Sequence, residues 1–382
     1  MLDFRFTDAD ERILKAISEE RPIARSYARY YDEHEDEIPP LIFEEVRERI
    51  SPYDLVDMEA GATSGTALMK AMVALEESCS DIRLRRLLNG LGSIVINYAG
   101  TEEQVARWGG KNIVFALTEP SAGSDAAAIR ARAVLDEQSG VWTLNGEKVY
   151  VSGFGGADGV LVLAKVRDEQ GRQAFGAFVL EKGTPGLRSN GQTRKMGIRH
   201  WDTEDIALVE CKVPELHRID VDFKKTLLVF NGTRPTAAAY GLGVAKALLD
   251  FARECLGLDQ DERRFRKLAA ERTATEESLL RMEALYDAAL LTVMHSKWSE
   301  DRGEVQDAKL NGAAAKALGG MAARRISQGC MEILGAAALS EEHLAEKWFR
   351  DARIFDIFEG PGDINRLIIA RVILGYSAKE LN

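Results

Sequence analysis

At positions 115–125 the chain reads Phe115-Ala-Leu-Thr-Glu-Pro-Ser-Ala-Gly-Ser-Asp125, a short apolar run followed by a polar turn. The apolar run predicts a strand that enters Thr118-Glu119-Pro120. The turn at Ala122–Asp125 offers hydroxyl groups and backbone N–H groups, which can bind an anion. An ordinary polar turn between two strands has the same composition, and spacing alone favours that second interpretation.

The residues around this stretch, from Ile113 to about Val213, have the pattern of β-strands. Apolar runs such as Gly159–Val166 and Phe175–Leu180 alternate with clusters of Gly, Pro and Asp. Asn145-Gly146 lies between two β-rich runs and predicts a tight hairpin turn. Because no helix-length pattern separates the runs, the segment predicts an antiparallel sheet or small barrel rather than a parallel βαβ sheet.

Helical patterns flank the β segment on both sides. Apolar residues repeat at helical spacing before about residue 105 and again from about residue 222. Pro235 suits the first turn of one of the later helices. The chain is therefore predicted to be mainly α with a central antiparallel β domain. The predicted domains are 1–112 (helical), 113–221 (β) and 222–382 (helical).

The composition limits the possible classes of function. The 382 residues include 50 Lys and Arg against 61 Asp and Glu, and this net charge of -11 argues against nucleic-acid binding. The sequence has no apolar run of about 18 residues and no signal-peptide pattern, so we expect a soluble protein and no membrane segment. Four cysteines without a CxxC pair and five histidines without HExxH spacing predict no metal site, and favour buried free thiols in the cytoplasm.

The polar turn is the first of several motifs that occur in order along the chain. The others are Leu144-Asn-Gly-Glu-Lys-Val-Tyr-Val-Ser152, Met196-Gly-Ile-Arg199, Val213-Pro214, Phe230-Asn-Gly-Thr-Arg-Pro235, Arg350-Asp-Ala-Arg353 and Ile357-Phe-Glu-Gly360. Together they resemble the acyl-CoA dehydrogenase family from about Thr101 to the C-terminus, with a gap near 257–272. The resemblance implies a helical N-terminal domain, a β-barrel middle domain and a C-terminal four-helix bundle.

The resemblance also implies an FAD-dependent oxidoreductase of fatty acid metabolism that acts on a CH–CH bond. Thr118 and Ser124 match residues that contact FAD. Tyr150 matches an aromatic residue against the flavin ring, and Ser152 matches a hydroxyl near the reactive edge of that ring. These four residues are the predicted cofactor-binding set.

Glu359 is the predicted catalytic base, because it matches the carboxylate that removes the proton α to the thioester carbonyl. Such a proton is weakly acidic, so the base must be positioned and desolvated. Burial beside an apolar flavin would raise the pKa of the carboxyl group and make it a better base. Arg234 matches a residue on the substrate side, near the thioester and CoA.

The chain departs from the family pattern where the adenine end of FAD is held. The family's R-x-x-F-G segment is missing, and the nearest string is Arg263–Lys267. Where the family has Q-x-x-G-G-x-G, Glu332 adds a negative charge, and Ala336 and Ala338 add methyl groups that would obstruct a pyrophosphate. Asp363 is a carboxylate where the family has a neutral amide. We therefore expect FAD to be held less firmly than is usual in the family.

Two functions remain open from the sequence. The first is FAD-dependent α,β-dehydrogenation of an acyl-CoA thioester, with electron-transfer flavoprotein or a similar acceptor. The alternative is a flavin-poor or non-catalytic homologous subunit that binds a thioester or completes a heteromeric dehydrogenase. The Ala-rich stretch Ala313–Ala323 permits close helix packing and, with the family resemblance, predicts assembly through the C-terminal helices as a homotetramer or dimer of dimers. A hetero-oligomer is the alternative. The stretch Ile50–Thr66 is unfamiliar, so the acyl chain cannot be predicted.

Overall fold

The computed structural model describes residues 4–37, 66–81, 90–167, 171–258, 272–304, 307–377 and 380, which pack as two compact units. The helical unit comprises the described residues of 1–84, 195–200 and 230–382. The sheet unit comprises those of 85–194 and 201–229. This division follows packing, and the three domain ranges given by the sequence remain a prediction. Arg263–Lys267 and most of Ile50–Thr66 lie outside the described residues.

The helices of the described residues carry most of the helical unit and a small part of the sheet unit. They are α1 (Asp8–Glu19), α2 (Arg21–Glu33), α3 (Ala67–Cys79), α4 (Leu91–Ala99), α5 (Glu102–Trp108), α6 (Phe223–Thr226), α7 (Val229–Cys255), α8 (Ala274–Asp301), α9 (Ala308–Leu334), α10 (Ala345–Ala352) and α11 (Gly362–Leu374). Helices α4, α5 and α6 belong to the sheet unit. The long C-terminal helices pack on one another, α9 against both α8 and α11.

The start of α7 differs from the prediction made for Pro235. The helix begins at Val229, so Pro235 lies inside it and not in its first turn. A proline in this place removes one backbone hydrogen bond, to the carbonyl of Asn231. Nearly all of the helix from Pro235 to Leu249 is buried, and this packing outweighs the missing bond.

The described residues of the sheet unit form eight strands. They are β1 (Ile113–Ala116), β2 (Arg132–Asp136), β3 (Val141–Ser152), β4 (Gly159–Arg167), β5 (Gln173–Glu181), β6 (Leu187–Gln192), β7 (Thr203–Pro214) and β8 (Arg218–Ile219). They pair in the order β6-β7-β3-β2-β4-β5-β8, and β1 pairs with β4. Most neighbours are antiparallel, as predicted, but β4 runs parallel to both β1 and β2, so the sheet is mixed.

The hairpin turn predicted at Asn145-Gly146 is wrong, because both residues lie inside the single strand β3. The pairing of β3 with β7 shifts register between Leu144 and Gly146, which marks a bulge. A Cβ atom at Gly146 would come within 2.6 Å of the Ala131 side chain, so the glycine permits a close approach to the backbone just before β2. The dipeptide therefore marks a bulge within β3 and not a hairpin turn.

Both faces of β4 are buried, which explains its continuous apolar run. Val160 and Val162 pack into one core cluster with residues of β3, β5 and β7. Leu161 and Leu163 point to the opposite face and pack with residues of α4 and α5, among them Trp108. The sheet is thereby covered by its own strands on one face and by helices on the other.

Two expectations from composition concern helices and thiols. No helix among the described residues is both long and apolar enough to span a membrane. Cys79, Cys211 and Cys330 are buried free thiols, as predicted. Cys255 differs, because it lies at the exposed end of α7.

Candidate active site

The polar turn after β1 is held by a buried ion pair in the sheet unit. The carboxylate of Glu119 accepts hydrogen bonds from the backbone N–H groups of Arg130 and Ala131, and Lys148 Nζ lies 2.8 Å from its Oε1. Burial alone would raise the pKa of Glu119, but the hydrogen bonds from Lys148 and the backbone outweigh it and hold that pKa below its usual range. Lys148 also donates to the carbonyl of Leu117, 3.0 Å away. Glu119 therefore fixes the turn and is not exposed for chemistry.

The ion pair of Glu119 and Lys148 joins the end of β1 to β3, and the predicted cofactor-binding residues lie along these two segments. The backbone N–H of Val149 donates to the carbonyl of Thr118 at 2.9 Å, so the two segments lie side by side. Thr118 and Ser152 are half-buried and Ser124 is exposed. In the described part of the chain, none of these three hydroxyl groups has a protein hydrogen-bond partner.

Tyr150 is presented outward by a strained backbone. Its side chain is 62% exposed, and its φ angle is 59°, a value that residues other than glycine rarely adopt. The carboxylate of Asp205 accepts a hydrogen bond from the Tyr150 N–H at 3.1 Å and supports this conformation. An outward aromatic ring beside uncommitted hydroxyl groups suits a planar, polar ring system such as that of FAD. The residues present therefore fit the flavin end of the cofactor.

Glu359 lies in the helical unit, in the turn between a 3₁₀ segment at Arg353–Asp356 and α11. Both carboxylate oxygens are buried, and neither has a hydrogen bond of conventional geometry in the described part of the chain. Burial raises the pKa of Glu359 to about 7, although Lys316, the nearby hydroxyl of Thr233 and Arg234 each act to lower it. A carboxyl group in this condition gains and loses a proton near neutral pH, which a general base requires.

Arg234 lies against the turn that carries Glu359. Its Nε donates to the backbone carbonyl of Glu359 at 3.1 Å. Desolvation lowers the pKa of Arg234, and the negative charge of Glu359 partly restores it. The guanidinium group lies 5.8 Å from the ring centre of Phe230, one turn earlier in α7.

Lys316 is a residue of this site that the sequence did not reveal. It lies on α9, is fully buried, and its Nζ lies 2.6 Å from the carbonyl oxygen of Phe355. Desolvation lowers the pKa of Lys316 to about 8, with Glu359 and Asp356 acting in the opposite direction. A lysine in an Ala-rich helix carries no local signal of function, so only the fold could identify Lys316.

Two other motifs from the sequence meet in the helical unit and form its buried charge network. The backbone N–H of Ile198 donates to the carboxylate of Asp351, and Arg350 donates to the carbonyl of Met196 at 3.0 Å. Lys347 is fully buried between Asp81 and Asp351, at 2.7 and 2.6 Å. Both motifs therefore contribute to the buried packing of the helical unit.

The residues expected to weaken FAD binding do not all occupy the places assumed for them. Ala338 is fully buried, so its methyl group packs inside the chain and the expectation that it obstructs an approaching pyrophosphate is wrong. Ala336 and Glu332 are exposed, and Gln328 donates a hydrogen bond to Glu332. Asp363 is paired with Arg366 at 2.7 Å.

Asp363 also lines a cavity of about 500 Å³ in the helical unit. Among the other lining residues are Arg324, Arg353, Arg366 and Asp356. Three guanidinium groups against two carboxylates leave this region without the excess of negative charge that the sequence suggested.

Among the described residues, no group of three or more His, Cys, Asp or Glu could hold a metal ion.

Known protein families and individual proteins match most of this chain in sequence. Residues 114–211 match the acyl-CoA dehydrogenase middle domain, and residues 223–374 match the acyl-CoA dehydrogenase C-terminal domain. An acyl-CoA dehydrogenase of Bacillus subtilis is 30% identical over 75% of this chain and 76% of its own length. An acryloyl-CoA reductase (NADH) of Anaerotignum propionicum is 27% identical over 98% of this chain and 96% of its own length.

A solved structure extends the likeness to the fold. Butyryl-CoA dehydrogenase from Megasphaera elsdenii has a TM-score of 0.84 and 26% identity, and the match covers 98% of this chain and all of the other. The family resemblance and the fold class predicted from the sequence are confirmed. The chain belongs to the acyl-CoA dehydrogenase family, whose named members here are oxidoreductases acting on CH–CH bonds.

Proposed function

We propose that this chain catalyses the FAD-dependent α,β-dehydrogenation of an acyl-CoA thioester, with Glu359 as the base. The observation that carries the proposal is the buried Glu359 carboxylate, whose pKa of about 7 suits proton abstraction near neutral pH. Burial removes the water that would otherwise stabilise the carboxylate, so its affinity for a proton rises. Arg234 and Lys316 keep enough positive charge near it for a proton-free state to exist.

In this reaction the residues of the two units would have different roles. Glu359 would take the α-proton. Arg234 would hold the turn that carries Glu359 by its hydrogen bond to the Glu359 backbone carbonyl. Thr118, Ser124, Tyr150 and Ser152 would hold the flavin ring through their hydroxyl groups and the exposed aromatic face. FAD, when bound, supplies the two-electron acceptor for the hydride that leaves the β-carbon. Electron-transfer flavoprotein or a similar acceptor would then receive the electrons.

The test is turnover of butyryl-CoA with an artificial electron acceptor. Glu359→Gln keeps the size of the side chain but removes the basic lone pair. Turnover should fall by about a hundredfold or more, since positioned bases contribute roughly 10²–10⁴. The flavin absorbance should stay unchanged. Glu341→Gln, the same change at an exposed glutamate, should retain wild-type turnover.

Two outcomes would contradict the proposal. If Glu359→Gln turned over at the wild-type rate, the base would be another residue. If the wild type showed neither flavin absorbance nor turnover with butyryl-CoA or glutaryl-CoA, the alternative would gain support. In that case the chain would be a homologous subunit that binds a thioester without oxidising it.

A second candidate is the reverse reaction, reduction of an enoyl-CoA thioester. The observation in its favour is the acryloyl-CoA reductase relative, which matches 98% of this chain. The same residues serve both directions, because a base that removes the α-proton can also return it. Comparing the oxidation of butyryl-CoA with the reduction of crotonyl-CoA by a chemical reductant would show which direction the enzyme favours.

A further inference from the structure

We propose that Lys316 is a positioning residue for Glu359, which holds the turn that presents the carboxylate and supplies a fixed positive charge beside it. This inference rests on the proposed function of Glu359 as the base. Lys316 lies on α9, far from Glu359 in the sequence, and both residues belong to the helical unit.

The Nζ atom of Lys316 binds both ends of the turn. It lies 2.6 Å from the carbonyl oxygen of Phe355 and 3.5 Å from that of Gly360. These two carbonyl groups bracket Glu359 in the chain. The side chain of Lys316 is fully buried, so water does not compete for these contacts. The ammonium group also lies 5.5 Å from the ring centre of Phe358.

The surface of α9 is shaped to receive this turn. One turn after Lys316, a Cβ atom at Gly320 would lie 2.7 Å from the carbonyl oxygen of Phe355. A side chain at Gly320 would therefore push the turn away from the helix. On the other side of the turn, Asn365 Nδ2 donates to the carbonyl of Gly360 at 2.6 Å. Lys316 and Asn365 thus hold the same carbonyl group from two helices.

The turn needs such support, because its backbone is strained. Glu359 has a φ angle of 54° and Gly360 one of 95°. A glutamate in this region of backbone conformation is disfavoured, and it persists only where surrounding contacts impose it. Loss of the Lys316 contacts should let the turn relax and move the carboxylate.

The charge of Lys316 acts on the same carboxylate. Lys316 is the largest of the influences that lower the pKa of Glu359, ahead of Thr233, Arg234 and Lys297. The charged groups that face Lys316 are Glu359, Asp356 and Arg234. With a pKa of about 8, Lys316 is mostly protonated at pH 7, so it keeps part of Glu359 in the basic form.

Three variants separate the two roles. Lys316→Met removes the charge and both contacts with the turn. Asn365→Leu removes the other contact with Gly360 but changes no charge. Lys297→Met removes a buried charge that also lowers the pKa of Glu359, but Lys297 Nζ binds the carbonyl of Gly232 and not the turn. Lys316→Gln, which is shorter but keeps a donor, replaces Lys316→Met if the latter does not fold.

The first measurement is the pKa of Glu359 from infrared spectra recorded against pH, with Glu359→Gln identifying the carboxyl band. It requires no turnover, so it also tests Lys316 if Glu359 is not the base. Lys316→Met should raise this pKa by about one unit or more, as expected for loss of a close opposite charge. Lys297→Met should raise it less, and Asn365→Leu should leave it within a few tenths of a unit.

The second measurement is exchange of the α-protons of butyryl-CoA in heavy water. Lys316→Met should slow it about tenfold or more at its optimal pH, because small displacements of a base are costly. Asn365→Leu should slow it as well. A folded Lys316→Met protein with an unchanged Glu359 pKa and an exchange rate within twofold of wild type would overturn the proposal. If Glu359→Gln also exchanged normally, the function proposed for Glu359 would fail separately.

Discussion

The side chain of Glu359 is a carboxylate in a place that disfavours charge, and this makes its protonation sensitive to pH near neutrality. Its pKa is about 7 in the folded protein, and that of Lys316 is about 8. The base must be deprotonated, so kcat/KM should rise with pH through about 7. The charge on Lys316 supports the base, so activity should fall again above about 8. The check is a pH profile measured with butyryl-CoA and an artificial acceptor.

The stability of the protein gives an independent reading of the same residue. The folded-state pKa of Glu359 is raised, so between about pH 4.5 and 7 the folded state holds a proton that the unfolded chain releases. The stability contributed by Glu359 is therefore lost as pH rises through this window. Glu359→Gln cannot titrate, so its melting temperature should exceed that of the wild type at pH 8 more than at pH 4. In the pH profile described above, a rise of kcat/KM near pH 4.5 instead of pH 7 would contradict the role of Glu359 as the base.

The element that shapes the sheet side of the site is the polar turn between β1 and β2, and a buried ion pair fixes it. Lys148 is fully buried and Glu119 nearly so. Glu119→Gln would leave the Lys148 charge without its partner, and such losses cost about 3–5 kcal/mol. We expect that loss in the free energy of unfolding, measured with urea. Glu19→Gln, which removes an exposed pair with Lys15, should change it little. An equal response from both variants would show that the turn does not depend on the buried pair.

Local sequence patterns predicted the strands and the polar turn better than they predicted contacts between segments that are distant in the chain. The apolar run of β4 and the polar turn were legible in the sequence, because strand composition and turn residues act over a few positions. Asn145-Gly146 was not, because the same dipeptide suits a hairpin or a bulge, and only the neighbouring Ala131 decides between them. The contacts of Lys316 could not be predicted from local patterns either, because its partners lie 39 and 44 positions later in the chain.

At the scale of the whole molecule, the order of the motifs was enough to predict the fold. Motifs that are far apart in sequence, such as Met196–Arg199 and Arg350–Arg353, proved to be in contact within the helical unit. The net charge around Asp363, where the sequence led us to expect weak FAD binding, was harder to predict, because it depends on residues from several elements. Arg324 and Arg353 line the cavity beside Asp363, and neither belongs to the motif expected to bind the cofactor.

The exposed apolar residues of the single chain motivate a prediction about assembly. Ile373 is 66% exposed and Leu374 59% exposed at the end of α11, next to Val372 at 40%. Large apolar side chains that are this exposed are typical of a contact between copies of a chain. We expect light scattering at micromolar concentration to give a mass near four times 42.2 kDa, as a homotetramer requires. Ile373→Lys should reduce that mass, because a charge would be buried in the contact. Val134→Lys, at an equally exposed valine of β2 in the sheet unit, should leave it unchanged. A wild-type mass equal to that of a single chain would refute the prediction, and an unchanged mass for Ile373→Lys would place the contact elsewhere on the molecule.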